Sequence, residues 1–340
     1  MPNKIFSRLS LFATFLAFLV VVLGAYVRLS NAGLGCPDWP GCYGHMGVPS
    51  AEKAQLSHPD SPLVPSKAWK EMVHRYLAGT LGLLVLSLAI LSLKVRRERN
   101  IPVFLPWFLL ALVIFQALLG MWTVTLKLHP LVVMAHLLGG FATLGLLGWM
   151  SLCVVGRGRA TGRSPLQSDH SLRLGAILGL ILLILQIALG GWMSANYASL
   201  ACPDFPTCQG HWWPAMNLKE ALTLWREIGP NYEGGVLDNP ARMTIHWFHR
   251  LGAVVLSLFL LFLSVKAWKM GGWIRVLGVV IGTLLVLQIS LGISNILFQL
   301  PIAVATAHNG VAALLFLSLI ALPSSLAIQG GAGIEPKTKS

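Results

Sequence analysis

Eight long apolar runs constrain what this chain can fold into. Each run has about the 20 residues that a helix needs to cross the hydrocarbon core of a bilayer. In lipid a backbone has to satisfy its own polar groups, so each run is expected to form a helix. The runs cover residues 11–29, 74–93, 103–126, 131–155, 172–194, 243–265, 273–298 and 302–327. The predicted fold is therefore an all-α membrane protein with eight transmembrane helices.

The composition supports this prediction and excludes other classes of protein. Of the 340 residues, 55% are hydrophobic and 11% are charged, whereas soluble domains carry about a quarter charged residues. The formal net charge is +13, but the Lys and Arg residues lie in short clusters between apolar runs. That distribution is typical of topology signals in a membrane protein rather than of a nucleic-acid-binding face.

The basic clusters also predict the orientation of the chain. They all fall on one side of the membrane if both termini are cytoplasmic, as the positive-inside rule requires. The two longest loops, residues 30–72 and 195–241, then lie outside the cytoplasm. The clustered residues are Lys94, Arg96, Arg97, Arg99, Arg157, Arg159, Arg163, Arg173, Lys266, Lys269, Arg275, Lys337 and Lys339.

Each long loop contains a pair of cysteines with two prolines between them. Cys36 and Cys42 lie in the first loop, and Cys202 and Cys208 lie in the second. A loop this short brings two thiols within bridging distance, and an oxidising compartment keeps them joined. We expect the disulfides Cys36–Cys42 and Cys202–Cys208. Structural cross-links are the simpler interpretation, and a redox role is the alternative.

The chain repeats itself at a spacing of 166 to 175 residues. The repeat predicts two tandem four-helix bundles related by a pseudo-two-fold axis along the membrane normal. The matched features are the cysteine loops, Gln116–Gly120 with Gln288–Gly292, His74-Arg75 with His249-Arg250, and His136 with His308. The predicted units are an N-terminal bundle (1–160), a cytoplasmic linker (161–171), a C-terminal bundle (172–328) and a flexible cytoplasmic tail (329–340).

The four repeated histidines are the candidate metal ligands. His74, His136, His249 and His308 lie near the outer ends of their predicted helices, where an ionisable group usually faces the bundle interior. Two histidines on facing helices suit the axial ligation of one haem per bundle. A lone histidine would instead be expected to hydrogen-bond across helices. Zinc would require more closely spaced ligands.

Arg75 and Arg250 directly follow two of these histidines. A guanidinium binds carboxylates well, so both are candidates for binding haem propionates at the outer side of the membrane. The alternative is that they are interface-anchoring arginines.

One position breaks the repeat. Glu71 lies three residues before His74, and His246 stands at the matching place before His249. A carboxylate at one site only indicates that the two sites have different tasks, and Glu71 is the candidate catalytic residue. A helix-terminal carboxylate favoured by the helix dipole is the alternative. His246 is an alternative ligand or a hydrogen-bond partner.

Together these residues resemble the haem A synthase family, which includes bacterial enzymes and a mitochondrial counterpart. The resemblance covers nearly the whole chain, from the segment Gly24–Cys36 to Ala307–Gly310. Its most specific parts are Glu71–Arg75, Tyr232–Arg250, His136 and His308.

The resemblance implies oxidation of the C8 methyl of haem O to a formyl group, through a hydroxylated intermediate, to give haem A for terminal oxidases. It implies that His74 and His136 flank the substrate haem, that His249 and His308 ligate haem b, and that Glu71 lies near the substrate methyl. The implied location is the bacterial inner membrane, with the haem sites near the periplasmic side.

The implied partners are haem O, membrane lipid and an electron donor that the sequence does not identify. A haem O synthase is a candidate partner, and a homo-oligomer is compatible with the sequence. Nucleic acid is not expected. The alternative function is a dihaem b-type electron-transfer membrane cytochrome, and a transporter is a third hypothesis.

Overall fold

Ten α-helices account for most of residues 2–99, 103–156 and 169–330, which are the residues that the computed structural model describes. Eight of these helices are long and apolar enough to cross a membrane, and there is no strand in this part of the chain. The helices are α1 Pro2–Leu29, α2 Ala51–Ser57, α3 Pro65–Arg99, α4 Phe104–Thr125, α5 Pro130–Gly156, α6 His170–Ala195, α7 Leu218–Ala221, α8 Asn239–Met270, α9 Gly272–Leu297 and α10 Ile302–Gly330.

Six of the eight predicted spans fall within helices, and the spans 103–126 and 273–298 extend at most one residue beyond the ends of α4 and α9. Three helices begin well before the predicted start, the first of them α1, which begins at Pro2 rather than at residue 11. Helix α3 begins at Pro65 rather than at residue 74, and its first turns carry charged residues that interrupt the apolar run. Proline is favoured at a helix start because its missing N–H is not needed there. Helix α8 begins at Asn239, and the side chain of Asp238 accepts the backbone N–H of Ala241 at 2.7 Å. The early start of α3 places Glu71 inside the helix.

The long helices pack into two groups of four. In the first group α1 and α4 each pack against both α3 and α5, and in the second group α6 and α9 each pack against both α8 and α10. The groups meet where α10 packs against α1 and α5, and where α5 packs against α6. Leu144 and Leu260 are among the fully buried side chains of the shared core. Leu258 and Phe262 are 65% and 64% exposed, as lipid-facing side chains are.

Parts of the predicted organisation lie outside the described residues. These are most of the linker 161–171, the end of the tail 329–340, and the basic residues Arg157, Arg159, Arg163, Lys337 and Lys339.

Both long loops lie at one end of the helix bundle, which we call the cysteine-loop end. It comprises residues 30–64, residues 196–238, and the short turns 126–129 and 298–301. The second long loop reaches the α4–α5 turn, because Tyr232 donates its backbone N–H to Lys127 O at 3.0 Å. His129 is buried in that turn, with ring centroids 5.1 Å from Trp225 and 5.3 Å from Tyr232. This loop therefore covers part of the first group of helices.

Candidate functional site

The four repeated histidines lie on helices at opposite corners of the two groups. His74 and His136 are on α3 and α5, and His249 and His308 are on α8 and α10. His74 is close enough to His136, and His249 close enough to His308, for each pair to interact electrostatically. The structure thus brings the four residues together as two pairs across the two groups. Such an arrangement suits a planar cofactor held between facing helices.

A glycine on a neighbouring helix lies against each of these imidazoles. A Cβ atom at Gly24 would lie 3.0 Å from Cε1 of His74, and one at Gly190 would lie 3.1 Å from Cε1 of His249. These distances are tighter than ordinary van der Waals contacts, so a larger residue would displace the rings. Gly292 has the same relation to His308, at 3.2 Å, and a Cβ atom at Gly120 would lie 3.4 Å from Cε1 of His136, an ordinary contact distance.

The atoms of the histidine pairs fit haem ligation. Nδ1 of His74 is buried and has no hydrogen-bond partner in the described part of the chain. Over those same residues, no group of three or more His, Cys, Asp or Glu side chains could hold a metal ion. Since haem iron needs only its two axial ligands from the protein, the pairs match that chemistry better than a multi-ligand metal site.

Glu71 links α3 to the first cysteine loop. The side chain is 5% exposed, and its Oε2 accepts the backbone N–H of Cys36 at 2.9 Å. Its Oε1 forms an ion pair with Arg75, one helical turn further along. Arg75 also donates to the carbonyl oxygens of Asp38 and Gly41. Glu71 is therefore a buried carboxylate with a defined position, three residues before His74.

His246 occupies the corresponding place in the second group. It is 3% exposed, and its Nδ1 lies 3.1 Å from Ala198 O and 3.4 Å from Cys202 N. Arg250 donates to Cys202 O, Asp204 O and Thr207 O at 2.7 to 2.9 Å. The second site thus has the same connection between helix and loop, but an imidazole replaces the carboxylate.

The contacts of Arg75 and Arg250 were not foreseen from the sequence. Both guanidinium groups bind carbonyl oxygens of the cysteine loops. The spacing of Glu71 and Arg75, four residues apart in a helix, was a signal for their ion pair. No residue pattern of this kind predicts that the two arginines bind backbone carbonyl oxygens of the cysteine loops.

The two cysteine loops have the predicted disulfides and similar turns. Cys36 is joined to Cys42 and Cys202 to Cys208, with Cα–Cα distances of 4.8 and 4.6 Å. The carboxylate of Asp204 accepts the backbone N–H groups of Gln209 and Gly210 at 2.6 and 3.0 Å. In the first loop Asp38 accepts those of the residues just after Cys42, Tyr43 and Gly44, at 2.6 Å. Each carboxylate therefore closes its loop.

Acidification is expected to loosen the second cysteine loop. A hydrogen bond from the Thr207 hydroxyl and those from the Gly210 and Gln209 backbone lower the pKa of Asp204 to about 2, from 3.8. The ionised carboxylate stabilises the closed loop. This contribution to the stability of the loop is complete above pH 3.8 and is lost as the pH falls through about 2. Hydrogen-exchange protection of the Gln209 and Gly210 amides, corrected for intrinsic exchange, should fall over this interval.

Asp204→Asn is the control for this measurement. It should show low protection that does not change with pH between about 5 and 2. Full protection of both amides in the unsubstituted protein at the acid end of that range would contradict the role of the carboxylate.

Comparison with known proteins agrees with these features. The family model of the cytochrome oxidase assembly protein family COX15-CtaA matches residues 7–320. The haem A synthase of Shewanella oneidensis is 47% identical over 312 residues, which cover 89% of this chain and 91% of that protein.

More distant relatives match over similar lengths. The haem A synthase of Shouchella clausii is 27% identical and covers 94% of each chain. That of Paracoccus denitrificans is also 27% identical and covers 87% of this chain and 81% of its own length. The matched region includes six of the eight candidate membrane spans in full, most of the first and the last, and both cysteine loops. The chain belongs to the cytochrome oxidase assembly protein family COX15-CtaA.

Proposed function

We propose that this chain is an oxidoreductase that converts haem O to haem A, by oxidising the C8 methyl group of haem O to a formyl group. The identity of 47% to a haem A synthase over most of the chain supports the reaction. The observation that carries the mechanism is the presence of a buried carboxylate, Glu71, beside one histidine pair and of His246 at the same place beside the other. Two sites that share their ligands but differ in this group suit a substrate and a resident cofactor.

The substrate haem is assigned to the first group of helices and haem b to the second. His74 and His136 would hold haem O in this assignment, and His249 and His308 would hold haem b. The buried imidazoles and the glycines packed against them support both placements. Haem iron supplies the redox chemistry when it is bound.

Glu71 is the residue proposed to act on the substrate methyl group. The N–H of Cys36 and the guanidinium of Arg75 hold its two oxygens. A carboxylate held in this way stabilises positive charge that develops at a neighbouring carbon and accepts a proton at an oxygen.

Arg75 and Arg250 are proposed to face the haem propionates. Carbonyl oxygens orient a guanidinium but do not neutralise its charge, so Arg250 keeps a full positive charge for a carboxylate. Arg75 shares its charge with Glu71, so we expect it to attract a propionate less strongly.

The architecture proposed from the repeat is two bundles, residues 1–160 and 172–328, related by a pseudo-two-fold axis. The matching packing of α1, α3, α4 and α5 and of α6, α8, α9 and α10 supports it. The location proposed is the bacterial inner membrane, with both termini cytoplasmic and the cysteine-loop end periplasmic. Disulfides in both loops suit an oxidising compartment.

The partners proposed are a haem O synthase as the source of substrate and an electron donor, with a homo-oligomer as the state in the membrane. The second candidate function is a dihaem b-type electron-transfer cytochrome, which the similar histidine pairs favour. The difference between Glu71 and His246 has no explanation in a protein with two equivalent haems, so the first function is preferred.

Identification of the bound haems tests the proposed function. We expect protein purified in detergent from cells that make haem O to yield haem B together with haem O, its hydroxylated form or haem A. Protein from cells that lack haem O synthesis serves as the control and should retain haem B. Two molecules of haem B per chain, from cells that make haem O, would instead support the electron-transfer cytochrome.

A further inference from the structure

In the second site a side-chain amide lies on each histidine ring, and Nε2 of Gln288 lies 3.2 Å from Nε2 of His308. Nε2 of Gln186 lies 3.0 Å from Nδ1 of His249 and donates to His249 O at 2.9 Å. Gln186 is on α6, one turn before Gly190, the glycine that packs against His249. This amide therefore fixes both the backbone and the ring of His249.

The other site has no such amide at the matching position. One turn before Gly24, the glycine that packs against His74, the residue is Val20. Nδ1 of His74 is buried without a hydrogen-bond partner in the described residues. Two otherwise similar histidines thus differ in the group that holds the ring.

A second substitution accompanies the first. A Cβ atom at Gly252 would lie 2.4 Å from Oε1 of Gln186, so this glycine provides the space that the amide occupies. Gly252 lies three residues after His249, and Leu77 lies three residues after His74. Val20 and Leu77 are both partly buried and pack against the core. At His249 the second site therefore has a glutamine beside a glycine, whereas at His74 the first site has two apolar side chains. The first site has a glutamine beside a glycine only at its other histidine, His136, where the amide of Gln116 packs over Gly139.

We propose that Gln186 is a positioning residue that makes the second histidine pair a site that retains its haem, whereas the pair beside Val20 and Leu77 releases its haem readily. The inference rests on the proposed function, which assigns haem b to His249 and His308 and the substrate to His74 and His136. A resident cofactor has to stay bound through many turnovers, and a substrate has to leave as product.

The chemistry of imidazole ligands explains how one amide has this effect. A histidine that binds iron through Nε2 carries its proton on Nδ1, and a hydrogen-bond acceptor at Nδ1 fixes the ring and strengthens the ligand. Oε1 of Gln186 is buried without a partner in the described residues. The amide nitrogen of Gln186 faces both Nδ1 and His249 O, so a half-turn of the terminal amide presents Oε1 to Nδ1 as the required acceptor and gives up the hydrogen bond to His249 O. Loss of such a partner typically weakens metal binding by about 10–100-fold.

The test measures how fast haem B leaves the protein and at what potential it is reduced. Apomyoglobin in excess serves as the haem acceptor, and mass identifies the haem transferred. We expect Gln186→Leu to release haem B about 10–100-fold faster than the unsubstituted protein. Gln186→Glu should retain haem B and lower its reduction potential, because a carboxylate accepts the Nδ1 proton more strongly and so favours ferric iron. Val20→Leu, at the matching position, should change neither quantity.

Gly252→Ala provides an independent variant, because its Cβ atom would displace the amide while Gln186 itself remains. It should release haem B faster, as Gln186→Leu does. Release rates and reduction potentials equal to those of the unsubstituted protein in Gln186→Leu and Gly252→Ala would overturn the role of Gln186.

His249→Ala separates this failure from failure of the proposed function. If His249→Ala loses haem B while Gln186→Leu behaves normally, only the role of Gln186 is wrong. If the double variant His246→Ala/His249→Ala, in which His246 cannot replace the lost ligand, retains a six-coordinate haem B, the assignment of haem b to this pair is wrong, and the inference fails with it.

Discussion

Glu71→Ala is expected to retain haem b and to lose formyl formation. Haem b is assigned to the other group of helices, so its ligands are not changed. The formyl-forming reaction should fall by at least about 100-fold, which is the lower end of what a positioned acid or base contributes. The measurement is the haem A content of membranes that contain haem O, together with the haem B content of the purified variant.

Two further variants separate the charge of Glu71 from its contact with the cysteine loop. Glu71→Gln keeps an oxygen that accepts the N–H of Cys36 but has no charge, and we expect it to be as inactive as Glu71→Ala. Glu220→Ala removes a carboxylate that pairs with Arg226 in the second long loop, and it should remain active. Full formyl formation by Glu71→Ala would remove the catalytic role assigned to this residue.

His249→Ala is expected to lose haem b, because the variant leaves iron with one protein ligand in the second group. His74→Ala should retain haem b and lose the substrate haem. Haem B per chain, measured after extraction from protein purified in detergent, distinguishes the two variants. The contrast between them tests the assignment of each pair to its haem.

His246→Ala is the matched control, since this residue lies on the same helix three positions earlier. Its Nδ1 contacts the backbone of the second cysteine loop, so we expect haem b to remain in this variant. Normal haem b content in His249→Ala would mean that His246 replaces it as a ligand or that the assignment is wrong. The double variant His246→Ala/His249→Ala would decide between these two explanations.

The sequence predicts the features that depend on local patterns. The eight helices follow from run length, because a lipid-exposed backbone has few other options. The disulfides follow from the short spacing of the cysteines in each loop. The repeat of His74 and His136 as His249 and His308 predicts two histidine pairs, and the structure places each pair across one group of helices.

The sequence pattern does not predict contacts between segments that are far apart in the chain. Trp192 is 5% exposed and donates its indole N–H to Ala221 O at 2.9 Å, although a tryptophan near a membrane boundary is typical of an aromatic belt. The hydrogen bond between Gln186 and His249 joins residues 63 positions apart, and no spacing rule relates them. Such contacts depend on how helices are placed next to each other in space.

The contact between the second long loop and the α4–α5 turn has a consequence for the order of events during synthesis. When the ribosome has completed α5, the residues that cover His129 have not yet been made, so the α4–α5 turn is still uncovered. Trp225 and Tyr232 reach that turn only after α6 has been inserted. A nascent first half would therefore present a more open α4–α5 turn than the finished protein does.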